Sequence, residues 1–131
     1  MLTKEEKDLI LKVCYSSILY GITVYVEHDT FYDEREPYKA KISIKSHQIL
    51  DDFGNSPLSS KLLVRPYLRS MSTMTDEEME NLEKYLGKKY DFRFTETESF
   101  IYIDWLIAHH FDIYGLIEKG LALEATNGMY K

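Results

Sequence analysis

The chain has 131 residues, of which 44% are hydrophobic and 14% aromatic, and its formal net charge at pH 7 is −6. This length and composition are typical of one globular domain, here residues 1–131, and they exclude a disordered chain, which has few aromatic residues. The acidic balance argues against a protein that depends on phosphate contacts to bind nucleic acid, and the single cysteine excludes an intrachain disulfide bond.

The N-terminal residues show no secretory signal, because Met1 runs directly into a charged segment. No apolar run in the chain approaches the roughly 18 residues that cross a bilayer. We therefore expect a cytoplasmic protein without membrane contact.

The first predicted element is a helix, which a capping box of Thr3 and Glu6 should begin and Gly21 should end. Its apolar residues lie on one side and include Cys14, so the thiol is expected to be an inert core group. Residues 22–27 and 39–45 have the β-branched composition and the alternation of strands, and we expect them to pair as a hairpin. The acidic connection between them is predicted to be a surface loop.

The middle of the chain begins with a turn, because residues 51–60 are rich in glycine, asparagine, proline and serine. Residues 61–64 are a candidate third strand. Pro66 cannot donate to a strand ladder, so it should lie at a sheet edge or at a strand end.

A second capping box, Thr75 with Glu78, predicts an acidic helix over residues 76–86 that stops at Gly87. The three acids in its first turn suit the positive end of the helix dipole.

The C-terminal third contains a predicted strand over residues 88–97, where aromatic residues alternate, and a predicted helix from residue 99 onwards. Residues 99–111 are apolar on nearly every side, so their length rather than their periodicity favours a helix capped by Ser99. Together the elements predict an α+β fold in one compact domain. Its parts are an N-terminal helix, a small mostly antiparallel sheet, a central acidic helix and a C-terminal helical segment.

His109, His110 and Asp112 form the densest cluster of residues that can bind metals or carry protons. A catalytic metal needs three or more converging ligands, whereas adjacent helical residues point about 100° apart. An alternative is that Asp112 caps a short helix through Lys119 and a histidine ends the helix before it. We treat the three as candidate binding residues and expect no bound metal or other cofactor. A small metal-dependent enzyme, which His28 would assist, is a second hypothesis.

A further group of candidates is basic and aromatic. Cations beside tyrosine rings on a sheet are typical of single-stranded nucleic-acid platforms, and the residues concerned are Lys41, Lys45, Arg65, Arg69, Tyr38 and Tyr67. Lysines on an edge strand, however, commonly serve only to prevent edge-to-edge pairing. Weak nucleic-acid binding is therefore a third hypothesis.

Two segments, KLLVRPYLRSMSTMTDEE and WLIAHHFDIYGLIEKGLALEA, together resemble a family of small uncharacterised proteins encoded by bacteriophages and prophages. The shared pattern is Arg-Pro-x-Leu, then Ser-x-Met-Thr before an acidic helix, then Trp-Leu, His-Phe-Asp, Gly-Leu-Ile and Gly-Leu-Ala. Arg69 and Ser70 lengthen the spacer between the first two parts. The likeness covers about half of the chain, mostly after Lys61.

The resemblance transfers no activity, because the family has no established activity. It implies an accessory protein of a mobile element. The 11 tyrosines add amphipathic rings of the kind enriched at binding surfaces. We therefore expect a non-enzymatic protein that binds a host or phage macromolecule, with a protein rather than a nucleic acid as its partner.

Overall fold

A five-stranded sheet with the strand order β3-β2-β1-β4-β5 is the centre of the fold. The computed structural model describes residues 2–28, 37–45, 48–51, 62–87 and 95–130. The strands are β1 (Ile22–His28), β2 (Tyr38–Lys45), β3 (Gln48–Asp51), β4 (Leu62–Leu68) and β5 (Leu123–Glu124). Only β4 and β5 run parallel among the described strand pairs, so the mostly antiparallel sheet is confirmed.

Three α-helices occur within the described residues: α1 (Lys4–Ser17), α2 (Asp76–Leu86) and α3 (Glu96–Ala108). Each begins at a threonine that forms a reciprocal capping box with the glutamate three residues later. The predicted α+β architecture is confirmed. In this part of the chain no helix has the length and the apolar character needed to cross a membrane.

The first helix and the hairpin match their predictions. α1 starts after Thr3, and a 3₁₀ turn, Ile18–Tyr20, carries the chain to Gly21, whose φ of 71° suits glycine. β1 and β2 pair antiparallel with Val24 opposite Ala40. The alternation therefore puts one side of the hairpin against α1.

The main core lies between α1 and the sheet. α1 contributes Ile10, Val13 and Cys14, and β1 contributes Ile22, Val24 and Val26. Cys14 is fully buried, and this burial raises the pKa of its thiol to about 12, so the expected core role of the cysteine is confirmed. Leu116, Leu121 and Ala122, which belong to no regular helix, complete the same core.

A second, smaller core joins α2 to α3. Leu82 of α2 is fully buried against Trp105 and Leu106 of α3 and against Phe111. Met79 and Leu86, which lie three residues before and four residues after Leu82 on α2, pack at its border. This core therefore holds α2 and α3 against Phe111, which follows α3.

The prediction that Pro66 lies at a sheet edge or at a strand end is partly right, because Pro66 lies in the last pair of the β1–β4 ladder, just before β5 begins to pair. Pro66 lies inside β4, opposite Val24 of β1, and β4 has β1 on one side and β5 on the other. The carbonyl of Tyr67 faces β1, because it accepts a hydrogen bond from the Tyr130 hydroxyl, which also bonds to Thr23 of β1. The carbonyl of Leu68 faces the other way, because it accepts from the N–H of Ala125, which follows β5. Backbone groups of alternate residues in a strand point to the same side, so the nitrogen of Pro66 points away from β1, as the Leu68 carbonyl does. Since β5 pairs only from Tyr67 onwards, the missing N–H of Pro66 costs the sheet no hydrogen bond.

Two further predictions need correction. α3 begins after Thr95 rather than after Ser99, because the capping box of Thr95 and Glu98 starts the helix four residues earlier. The last residues of the strand predicted over 88–97 are therefore helical. β3 was not predicted, and only its last residue, Asp51, lies within the turn predicted over 51–60.

Several predictions lie outside the described residues. These are the acidic loop over 29–36, the turn over 52–60 and the first seven residues of the strand predicted from residue 88. The side chains of His28 and Lys45 are likewise outside the description.

Candidate functional site

A cavity of about 720 Å³ opens between the first turn of α2, the end of α3 and residues 125–130. We call residues 125–130 the C-terminal strap, because they line one side of this cavity. Three sequence candidates line it as well: Arg69, His109 and His110. The volume falls within the range of about 300–1,000 Å³ that is usual for small-molecule sites.

His109 is oriented by its own helix. Its imidazole stacks on the indole of Trp105 with ring centroids 3.9 Å apart and planes at 22°. Its Nδ1 lies 2.8 Å from the Trp105 carbonyl oxygen. Since a carbonyl only accepts, Nδ1 carries a proton, and Nε2 of the neutral ring keeps its lone pair. Nε2 has no hydrogen-bond partner among the described residues, so His109 presents a fixed, unused acceptor.

His110 has a different environment. It is only 7% exposed, and its φ of 66° is uncommon for a residue with a Cβ. Its Nε2–H donates to the Gly21 carbonyl oxygen at 2.6 Å. Burial lowers the pKa of His110, and the neighbouring His109 and Arg69 act in the same direction, whereas the bond to Gly21 opposes them. His110 is therefore a neutral side chain that ties the end of α3 to the start of β1.

Tyr130 anchors the C-terminal strap. Its hydroxyl accepts from the Thr23 N–H at 3.1 Å and donates to the Tyr67 carbonyl oxygen at 2.5 Å. The hydroxyl thus stands between β1 and β4, one step beyond their last pair, Val24 and Pro66. Its ring stacks on His110 with centroids 3.6 Å apart and planes at 3°.

Burial raises the pKa of Tyr130 to about 12, so the hydroxyl keeps its proton and its donor role at neutral pH. Sequence reasoning missed Tyr130. Its partners are 63 and 107 residues away along the chain, and no local pattern of residues signals contacts at such separations.

Asp112 fixes the turn that follows it. Its two carboxylate oxygens accept from the backbone N–H groups of Leu116 and Ile117 at 2.8 and 2.9 Å. Residues 116–120 form turns, so the prediction of a short helix through Lys119 with Asp112 as its cap is wrong, and the Asp112 carboxylate instead fixes this turn through its two bonds to the backbone.

The cluster His109, His110 and Asp112 does not converge. His109 contacts Trp105, His110 contacts Gly21 and Tyr130, and Asp112 contacts the backbone after it. Within the described ranges no group of three or more histidine, cysteine or acidic side chains is arranged to hold a metal ion. The geometry therefore gives the metal-enzyme hypothesis no support.

Arg69 is held in an ion pair at the edge of the cavity. Its two terminal nitrogens each lie 2.6 Å from a carboxylate oxygen of Glu78, and its guanidinium covers the Phe111 ring at 4.2 Å. The hydrogen bonds from Arg69 lower the pKa of Glu78 to about 2, and hydrogen bonds within the capping box of Thr75 contribute in the same direction. Arg69 therefore links β4 to α2 and has little capacity for an anionic ligand.

Arg65 and Tyr67 lie on the side of the sheet that faces away from α1. Arg65 is paired with Glu27 at 2.7 Å and covers the Tyr25 ring at 5.4 Å. The ammonium of Lys39 covers the ring of Tyr67, which is buried, at 5.1 Å. These rings are already covered by cations of the same chain, and the charge of Arg65 is balanced.

The other members of the predicted basic strip are dispersed. Tyr38 packs against the main core instead of flanking the strip, because the register puts it opposite Val26 on the inner side of the hairpin. Lys41 is exposed on the outer side, and its Cε lies close above Gly21. The structure thus divides the five members whose side chains it describes between two faces of the sheet and an ion pair, which weakens the nucleic-acid hypothesis.

An exposed apolar surface lies where the end of α1 meets α3 and α2. Leu19 is 80% and Phe100 is 67% exposed, and we define the apolar patch as Leu19, Tyr20, Tyr85, Phe100 and Ile103. The Tyr20 hydroxyl donates to Asp104 at 3.0 Å, which places Tyr20 against α3, one turn from Phe100. This hydrogen bond raises the pKa of Tyr20, and nearby Tyr85 contributes to the same shift.

Comparison with known proteins adds no relative. No protein-family model matches the chain, and searches of curated proteins and of solved structures found no significant match. The resemblance to small phage and prophage proteins therefore remains a prediction.

Proposed function

We propose that this protein is a non-enzymatic accessory protein of the phage type, and that it acts by binding another protein through the apolar patch. The observation that carries the proposal is the exposure of five large apolar or aromatic side chains on neighbouring helical segments. Clustered exposed apolar side chains mark interaction sites more often than scattered ones do.

The chemistry of the patch resembles that of protein interfaces. Two tyrosines and a phenylalanine supply large rings with few rotatable bonds, and such residues are enriched at the centres of interfaces. The hydrogen bond from Tyr20 to Asp104 fixes one ring before any partner arrives. A pre-oriented side chain loses less conformational freedom on binding.

Charge around the patch indicates the kind of partner. α3 carries Glu96, Glu98 and Asp104 and no basic residue, and α2 carries five acids against the single base Lys84. A partner with an apolar centre and a basic rim would complement this surface. The same acidic surroundings disfavour a nucleic acid, whose phosphates would be repelled.

The test is affinity capture from host cells that carry a related prophage or have been infected, with the wild-type protein and two variants compared by quantitative mass spectrometry. Phe100→Ser removes the most exposed ring of the patch. Met71→Ser is the matched control, since Met71 is an exposed apolar residue that is not part of the patch. Captured proteins are then purified, and their dissociation constants for the three chains are measured.

The expected result is a partner that binds the wild type and Met71→Ser equally and Phe100→Ser at least tenfold more weakly. A loss of more than about 1.4 kcal/mol, which is a factor of ten in affinity, is usual for a central aromatic residue of an interface. Equal binding by all three chains, or no protein enriched over a mock capture, contradicts the proposal.

A further inference from the structure

The cavity beside the C-terminal strap contains two acceptor groups that the fold does not use. These are Nε2 of His109 and the carboxylate of Glu77, neither of which has a hydrogen bond or an ion pair among the described residues. The other titratable groups of the lining are occupied, because Arg69 pairs with Glu78, and His110 bonds to Gly21. Unused acceptors in a concave site are complementary to a ligand that donates hydrogen bonds.

The charge of the lining has a definite sign. Among the acidic and guanidinium side chains of the lining, Glu77 and Glu78 are two carboxylates against the single guanidinium of Arg69. The excess charge is that of Glu77, since the other two side chains neutralise each other at 2.6 Å. A cation is therefore favoured over an anion at this position.

Apolar groups border the same space. Ala108 at the end of α3 and Ala125 and Met129 of the strap line the cavity together with the polar residues. A ligand with a short aliphatic chain would cover these side chains while its head reaches the two acceptors.

We propose that this cavity binds a small aliphatic ligand with a cationic nitrogen head, a guanidinium or a primary ammonium group. Nε2 of His109 accepts a hydrogen bond from the head, and Glu77 balances its charge. The indole of Trp105 and the Trp105 carbonyl hold the imidazole in position, so His109 needs no rearrangement to bind. The site shares no residue with the apolar patch, and the proposal does not depend on the protein-binding function.

The test uses butylguanidinium and its uncharged isostere butylurea, titrated at physiological salt into the whole chain by calorimetry. Both probes have the same shape, and only one has the charge. Binding of butylguanidinium should be saturable with one site per chain, and butylurea should bind at least about tenfold more weakly, because charge-assisted hydrogen bonds are the stronger ones.

Three variants locate the site. Glu77→Gln and His109→Phe should each weaken butylguanidinium binding several-fold, and the phenyl ring of the second can still stack on Trp105. Glu80→Gln is the matched control, since Glu80 lies on the same acidic helix but not in the cavity lining. Circular dichroism during heating verifies that each variant is folded.

A second measurement avoids the variants altogether. In the wild-type chain labelled with ¹⁵N-histidine, the Nε2 resonance of His109 should move on addition of butylguanidinium, while that of His110 should not. The absence of saturable binding overturns the proposal, and so does equal weakening by Glu77→Gln and Glu80→Gln, which would show attraction to the acidic helix alone. An unchanged Nε2 resonance of His109 at saturation overturns it as well.

Discussion

The two halves of this molecule are stabilised by different kinds of interaction. The N-terminal half is α1 on a hairpin, and most of the core beneath it consists of apolar side chains brought together by regular secondary structure. The segment after α3 contains little regular structure, and side-chain hydrogen bonds to the backbone fix it: Asp112 to Leu116 and Ile117, His110 to Gly21, and Tyr130 to Thr23 and Tyr67. Apolar burial is tolerant of chemical detail, whereas a hydrogen-bonded segment depends on single atoms.

The largest expected effect is in the N-terminal half. Ile22→Ala removes a fully buried side chain opposite Ile42 and should lower the free energy of unfolding by about 3 kcal/mol, through lost burial and the cavity left behind. Urea denaturation measures it, with Ile103→Ala as the control on an exposed surface. A loss below about 1 kcal/mol would show that the main core relaxes to fill the space.

The next effect is at Asp112. Asp112→Ala leaves two backbone N–H groups without their acceptors and should cost about 2 kcal/mol, the range for a lost cap with unsatisfied donors. Asp112→Asn keeps one amide oxygen and should fall between the wild type and the alanine variant. Glu118→Ala, in the same turn but exposed, is the control. If alanine and asparagine cost the same, the two hydrogen bonds are not what fixes this turn.

A smaller effect is expected from one oxygen atom in the strap. Tyr130→Phe preserves the ring over His110 but removes the hydroxyl between Thr23 and Tyr67, and it should cost about 1 kcal/mol. Tyr85→Phe, at an exposed ring, should have no measurable effect. Hydrogen exchange of the Thr23 amide gives a local measurement, since this amide should exchange faster in the Tyr130 variant alone. Unchanged exchange would mean that the hydroxyl does not hold β1 and β4 together.

The smallest effect is a dependence of stability on pH. Burial lowers the pKa of His110 in the folded chain, whereas the unfolded chain takes up a proton on histidine at about pH 6.5. The contribution of His110 is therefore complete above about pH 6.5 and decreases as the pH falls below it. Chemical denaturation between pH 7.5 and 5.5 measures this slope, and His110→Gln should reduce it. An identical slope in the variant would assign the dependence to other groups.

A separate loss of stability is expected at lower pH. Hydrogen bonds from Arg69 hold the pKa of Glu78 at about 2, below its ordinary value of 4.5, so the pair stabilises the fold above about pH 4.5 and loses this contribution as the pH falls towards 2. Glu78→Gln should flatten the stability profile in that window. The pair is partly exposed to solvent, which screens the interaction and limits the size of the change.

Much of the regular structure was accessible from the sequence, because its signals are local. The capping boxes at Thr3 and Thr75 and the stop at Gly87 need only residues within one turn of each other, and α1 and α2 begin where predicted. The start of α3 has the same local signal at Thr95 and Glu98, but the alternating aromatic residues over 88–97 predict a strand at this place instead. The exact position of Pro66 has no such local signal, because it depends on which strand lies on each side of β4.

The candidate site residues show the same difference between local signals, which the sequence contains, and long-range contacts, which it does not reveal. Sequence reasoning identified His109, His110 and Asp112 as a group, and it also identified capping as the alternative role of Asp112. It did not predict that the two histidines face different partners, because His110 takes a φ of 66° that turns its side chain towards Gly21. Tyr130 carried no local signal, since its contacts cross most of the chain.

The sequence by itself determined the α+β class, the hairpin and the amphipathic helices, because apolar periodicity and caps operate within a few residues. Only the tertiary structure decided the ladder position of Pro66, the partners of the two histidines, and the cavity between α2, α3 and the strap. The physical reason is the separation along the chain between the residues that interact. A cap or an alternating strand is stabilised by its neighbours in the chain, whereas a stacked ring or a shared hydroxyl exists only after distant segments have been brought together by the burial of the core.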